Sequence, residues 1–146
     1  MAAQWESHPI LMLDTNAVVE VLRRPRGQVA AHLSELLPGQ AAISVVVLGE
    51  LRYGVARAQA AGFGPRLEAL AACMPVLPLD RGVAERYGAI RADLARRGTP
   101  IGMNDLWIAA HALSLGLALV TDNEKEIRRV PGLVVENWLR PKQVGT

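Results

Sequence analysis

At 146 residues the chain has about the commonest size for one domain, and a composition of 51% hydrophobic and 21% charged residues excludes disorder. A formal net charge of only +2 is too mild to demand a nucleic-acid partner; the basic residues are nearly all Arg, which grips phosphate bidentately, although a GC-rich genome produces the same bias. A single cysteine, Cys73, excludes an intramolecular disulfide and a Cys-rich zinc site, and its setting in "LAACMPV" reads as a core thiol.

The opening "MAAQWESHPILMLD" has neither a basic start nor a long apolar segment, so no signal peptide is expected. No stretch approaches the roughly 20 apolar residues of a membrane span, and a soluble, cytoplasmic protein is expected. Residues 1–9 read as a flexible tail, residues 10–140 as one domain and residues 141–146 as a second tail. "ILMLD" is a short continuous apolar run, which suits a strand covered on both faces. "NAVVEVLRRP" follows as a short helix stopped by Pro25, and "GQVAAHLSELLPG" as another ended by Pro38 and Gly39. "AAIS" is a second strand, with Ser44 placed to cap a helix that carries Glu50 and runs to about Ala60. A break at "AGFGP" precedes a helix over Pro65 to Met74.

"VLPLD" (Val76 to Asp80) is strand-like, and Asp80 caps a long Arg-rich helix from Arg81 to Arg97. After the breaker "RGTPIG", "MNDLWIAAHALSLG" is apolar on nearly every side and reads as a buried helix, with Asn104 as its cap and Gly116 as its stop. "LALVT" is a strand, "DNEKEIRR" a turn and short helix, and "LVVENW" a last strand. Strands alternating with helices indicate an α/β fold with a mainly parallel sheet.

Ligands of open parallel sheets bind beyond the carboxyl ends of the strands. Four acids from distant segments fall at that rim: Asp14 closing the first strand, Glu50 after the second, Asp105 opening the buried helix and Asp122 after "LALVT". Taken singly, Asp14 reads as an Asx turn or cap, Asp105 as a helix-dipole partner and Asp122 as a turn residue. Glu50 flanks an apolar stripe, where a carboxylate must pair with Arg52, Arg57 or another Arg, or hold a cation. Nothing structural requires the acids to converge. Converging carboxylates repel one another unless a cation neutralises them, and oxygen-only ligation selects Mg²⁺ or Mn²⁺. Such an ion acidifies a water and stabilises charge on a phosphodiester, so the set reads as a hydrolytic metal cup.

In "MLDTN", "ISVVVLGELRYGV", "IRADLARRGTPIGMNDLWIAAHAL" and "LALVTDNEKEIRRVPGLVVENW" the chain resembles the PIN-domain ribonucleases, specifically VapC-type toxins of bacterial toxin–antitoxin pairs. The resemblance implies a three-layer α/β/α sandwich and Mg²⁺- or Mn²⁺-dependent endoribonuclease activity. It also implies a homodimer and a VapB-type antitoxin that binds it in a hetero-oligomer. Carried over by motif, Asp14 and Asp105 are the principal metal ligands and Glu50 completes the cluster, directly or through a water. Thr15 supports Asp14, while Ser44 and Asn104 line the site. For Thr15, Ser44 and Asn104, capping is the competing reading.

One departure concerns the fourth acid. Many PIN domains place it two residues after the strand-end Thr, where this chain has Asn123, so Asp122, Asn123, Glu126 or no residue fills the role, with Asp122 slightly preferred. Arg23, Arg24, Arg26, Arg96 and Arg97 lie where they could meet phosphates, but read first as solvated helix faces. His8, His32 and His111 follow no pattern, and His111 reads as a hydrogen-bonded core residue. An Asp-nucleophile phosphatase would need a second Asp where Asn16 stands, and no Gly-rich phosphate loop follows any strand. The remaining alternative is a catalytically inactive PIN fold serving as an RNA-binding or scaffold module, which predicts no metal binding.

Overall fold

A computed structural model describes residues 5–58 and 62–140. In chain order the elements are β1 (Leu11–Leu13), α1 (Thr15–Arg23), α2 (Gln28–Ser34), β2 (Ala41–Ser44), α3 (Val45–Ala58), α4 (Phe63–Ala72), β3 (Val76–Leu77), α5 (Arg81–Arg96), α6 (Met103–Leu115), β4 (Ala118–Val120), α7 (Glu124–Ile127) and β5 (Val135–Glu136). The strands form one parallel sheet in the order β3-β2-β1-β4-β5, flanked by helices, which is the expected α/β/α sandwich.

Every residue of β1 and β2 is buried, as a strand sandwiched between helical layers requires. The chain leaves β1 toward β2 and β3 on one side and returns to β4 and β5 on the other, so the order reverses between β1 and β4. Helices departing to opposite faces open a crevice at that point, beyond the carboxyl ends of the two strands. Leu13 pairs with Val120 at the edge of this crevice, and the Asp14 amide donates to the Val120 carbonyl at 2.8 Å. Asp14 and Thr121 are therefore the residues the two strands deliver to it.

The helices follow their apolar periodicity. α1 buries Ala17, Val18 and Leu22, α3 buries Val47 and Leu51, and α6 is buried from Ile108 through Ala112. Asp80 caps α5 by accepting from the Val83 amide at 3.1 Å, and Gly116 ends α6 with φ of 69°, a left-handed geometry that glycine adopts without strain.

Several boundaries differ from the sequence reading. β3 stops at Leu77, because Pro78 has no N–H for the ladder. β5 is confined to Val135–Glu136 and stops at Glu136, which pairs with Val120, the last residue of β4. α2 ends at Ser34, where Glu35 and Leu36 donate to the carbonyls of His32 and Leu33 and tighten the last turn. α4 starts at Phe63, since Pro65 falls in the first turn, where a missing N–H costs nothing. The expected end of α3 near Ala60 lies outside the described residues.

Cys73 is exposed at the end of α4, not a core thiol. Of the expected N-terminal tail, residues 1–4 are outside the described set. Trp5 and Ser7 lie against Gly39, where a Cβ would stand 2.7 Å from the Trp5 Cβ and 2.6 Å from the Ser7 carbonyl oxygen. The expected tail at 141–146 is also outside the described residues. No helix among the described residues is long and apolar enough to cross a membrane.

Candidate active site

The crevice between β1 and β4 opens as a cleft of about 460 Å³ whose lining includes Asp14, Glu50, Asp105 and Asn123. Three segments separated by tens of residues meet there: the end of β1, the second turn of α3 and the first turn of α6.

Asp14 is the most enclosed of the acids and is 2% exposed. It caps α1, its Oδ1 accepting from the Thr15 amide at 2.8 Å, so the positive end of the helix faces its charge. Its Oδ2 accepts from the Thr121 hydroxyl at 2.7 Å and from the Asn16 amide at 3.4 Å. Burial still raises its pKa, and the nearby Glu50 charge adds to the rise, while the donors from Thr121, Thr15 and Asn16 hold it down.

Glu50 is half-buried, and neither Arg52 nor Arg57 neutralises it: Arg52 pairs with Glu68. Instead Oε1 accepts from the Thr15 hydroxyl at 2.6 Å and Oε2 from the Asn104 amide at 3.3 Å. Both donors are neutral, so Glu50 is oriented without being paired with a cation.

Asp105 lies in the first turn of α6 and accepts from Asn123 Nδ2 at 3.3 Å. Its pKa is pushed up to about 6, first by burial and then by the charges of Asp14, Glu50 and Glu126, with the Asn123 bond opposing. A carboxyl group raised by its acidic neighbours marks a local excess of negative charge, and it is there that a hard cation gains most.

Thr15 is the partner of Glu50 by its hydroxyl and of Asp14 by its backbone. Ser44 caps α3 through the Val46 amide at 3.1 Å and also meets His111 Nδ1 at 2.8 Å; both side chains are buried, and Ser44 is not among the residues lining the cleft. Asn104 is not the cap of α6. Gly102 occupies that position with an extended backbone, so the helix begins earlier, Asn104 falls inside it, and its amide reaches Glu50.

The β4–α7 turn separates the candidates for the fourth acid. Asp122 points away, its carboxylate accepting from Asn137 Nδ2 at 3.0 Å. Asn123 turns inward, and its amide bridges Asp105 and Glu126 at 3.3 Å each. The preference for Asp122 thus conflicts with its placement: Asn16 accepts from the Asp122 backbone and Asn137 holds its side chain.

Sequence reasoning left Asn16 and Thr121 out of the site. Asn16 ties Asp14, Thr121 and the Asp122 backbone together, and the Thr121 hydroxyl also accepts from the Asn123 amide at 3.0 Å. The signal available was a Thr at the end of a strand paired with the strand that ends in Asp14.

Among the described residues no three acidic, His or Cys side chains already encircle an ion position. The donor set nevertheless fits Mg²⁺ or Mn²⁺. Mg²⁺ keeps most of its waters and takes only one or two protein carboxylates, and the oxygen-only chemistry and the raised Asp105 suit a hard divalent ion.

The family model for the PIN domain matches residues 11–133. This chain belongs to the PIN-domain family. Within it the chain is 35% identical to Ribonuclease VapC2 of Rickettsia felis over 131 residues, covering 88% of this chain and 98% of that one. It is 38% identical to the tRNA(fMet)-specific endonuclease VapC of Salmonella typhimurium over 135 residues, covering 87% and 96%. A crystal structure of DNA-bound VapBC from Salmonella typhimurium superposes with a TM-score of 0.80 at 34% identity, covering 89% of this chain and 98% of that one. The match over residues 11–133 includes every segment that contributes an acid, so the likeness concerns the whole site and not one motif.

Proposed function

We propose that this PIN domain is a Mg²⁺- or Mn²⁺-dependent endoribonuclease acting as the toxin of a toxin–antitoxin pair. The observation that carries the reading is the meeting of Asp14, Glu50 and Asp105, from three distant segments, at the point where the strand order reverses. Relatives named as VapC ribonucleases, and VapBC structures, support the same reading.

Asp14 and Asp105 would hold the ion, with Glu50 bound directly or through a water. When bound, the ion would supply Lewis acidity to the scissile phosphate and lower the pKa of a water. The chain's own residues do the rest. Thr121, Asn16 and the α1 amide fix Asp14 in one orientation, so no reorganisation is needed when charge develops. Thr15 and Asn104 aim Glu50 across the cleft, where it can orient a water and accept its proton. Asn123 holds Asp105 and Glu126 at one edge without adding charge. A VapB-type antitoxin, a homodimer and their hetero-oligomer are the partners this reading assigns.

The test is cleavage of total RNA by purified protein in Mg²⁺ or Mn²⁺, beside Asp14→Asn and Asp105→Asn. Both variants should lose cleavage while keeping a cooperative melting transition. Full activity in either one overturns the assignment.

A further inference from the structure

Five guanidinium groups near the motifs are candidates for phosphate contact, and the structure separates them. Arg24 donates through Nη1 to both oxygens of Glu20, at 2.8 Å each, and Arg97 pairs with Asp93. Arg26 lines only a shallow loop cleft with Arg24, Pro25 and Gly27, and Arg96 is exposed at the end of α5. Arg23 differs: it is the one basic side chain among the described residues lining the acidic cleft. No ion pair or side-chain hydrogen bond engages it among those residues.

Two acids of the same cleft, Glu20 and Glu50, are already engaged. Glu20 lines the same cleft, but both its oxygens are on Arg24. Each oxygen of Glu50 carries a neutral donor, from Thr15 and Asn104. Thr15, Val19 and Arg23 recur every four residues, line the cleft together and so share one face of α1. Helical side chains lean toward the helix N-terminus, which here means toward Asp14. Eight residues separate Thr15 from Arg23, about 12 Å along the axis, so the two backbones stand at different points along the cleft.

A cleft floored by carboxylates repels a polyanion, and a strand that must cross it needs a cation on the rim. Resting on the ribonuclease reading, we propose that Arg23 is a positioning residue that grips an RNA phosphate flanking the scissile one and so sets the register of the strand over the acids. The planar guanidinium offers two parallel donors to a phosphate, which fixes orientation as well as position.

The test uses the full chain and a short labelled single-stranded RNA of random sequence. Binding is titrated against salt in the Asp14→Asn background, and cleavage of the same RNA is followed in the otherwise unchanged protein. Arg23→Gln should weaken binding about tenfold and lower the slope of log affinity against log salt by about 0.7, the value of one phosphate on a single strand. KM should rise by a similar factor with kcat nearly unchanged. Arg23→Lys should recover the slope but only part of the affinity, and Arg96→Gln should leave both unchanged. An unaltered slope in Arg23→Gln overturns the proposal, as does a fall in kcat at constant KM. If the unsubstituted chain neither binds nor cuts RNA, the ribonuclease reading falls and this proposal with it; if it does both and Arg23→Gln matches it, only the role of Arg23 falls.

Discussion

The Thr15 hydroxyl donates to Glu50 Oε1 at 2.6 Å across 35 residues of chain, while the Thr15 amide holds Asp14 Oδ1 at 2.8 Å. One residue thus joins the end of β1 to the second turn of α3, and the two acids are fixed relative to each other through it. Thr15→Val keeps the shape and the amide but removes the hydroxyl, so Glu50 loses its shortest bond. RNA cleavage should fall at least tenfold with little change in Tm, since Glu50 is half-buried and water can replace the donor. Thr15→Ser should restore most of the rate. Equal rates for Val and Thr at this position would show that the bond does not orient Glu50 for the reaction.

Asp105 supplies a pH signature. Its pKa is raised from 3.8 to about 6, so the folded chain binds this proton more tightly than the unfolded chain. The associated stability is complete below the unfolded value and is lost as pH rises through the folded one. In EDTA, Tm should therefore lose a component as pH climbs from 3.8 to about 6, and Asp105→Asn should remove that component. Mn²⁺ at neutral pH should raise Tm in the unsubstituted protein through its preference for the folded state, and much less in Asp105→Asn. A Tm indifferent to Mn²⁺ in both proteins would sink the assignment of Asp105 as a ligand.

Ser44 and His111 form a buried pair that ties the start of α3 to the middle of α6. Burial lowers the His111 pKa, against the opposing influence of Asp80 and a hydrogen bond to the Pro78 carbonyl, so the ring is neutral. Ser44→Ala and His111→Leu should each cost about 1–3 kcal/mol, because each leaves a buried polar group without its partner. The double variant should cost less than the sum of the two, with a coupling of about 1 kcal/mol in a denaturation cycle. Strict additivity would mean the pair is not a working contact.

The parts of this molecule legible in the sequence are those where local pattern and global burial agree. "ILMLD" is apolar without interruption because β1 is covered on both faces, and that alone places Asp14 at a strand end. α6 is apolar nearly all round because it is buried, and Gly116 ends it as expected. What the sequence concealed depends on contacts made at a distance. Asn104 looks like a cap, yet the backbone of Gly102 decides where the helix begins. Cys73 sits among apolar neighbours, yet the end of α4 turns it outward. Trp5 looks like part of a tail until Gly39 offers it a surface without a side chain.

The turn after β4 depends most on such distant contacts, since a shift of one residue decides which group faces the acids. Asn137, near the end of the described chain, donates to Asp122 at 3.0 Å and to Glu124 at 3.1 Å, while its own oxygen accepts from the amides of Leu139 and Arg140. That knot draws Asp122 away and leaves Asn123 to bridge Asp105 and Glu126. Asp122→Asn keeps an acceptor for Asn137 and removes none of the main charges that raise the Asp105 pKa. It should therefore change RNA cleavage by less than about twofold, a difference within about 0.5 kcal/mol. Glu126→Gln removes one of the charges that raise the Asp105 pKa. Its cleavage profile should shift to lower pH on the acid side, because Asp105 then ionises more readily. A large loss in Asp122→Asn with no shift in Glu126→Gln would mean that the turn rearranges around the metal and that Asp122, not the Asn123–Glu126 pair, completes the cluster.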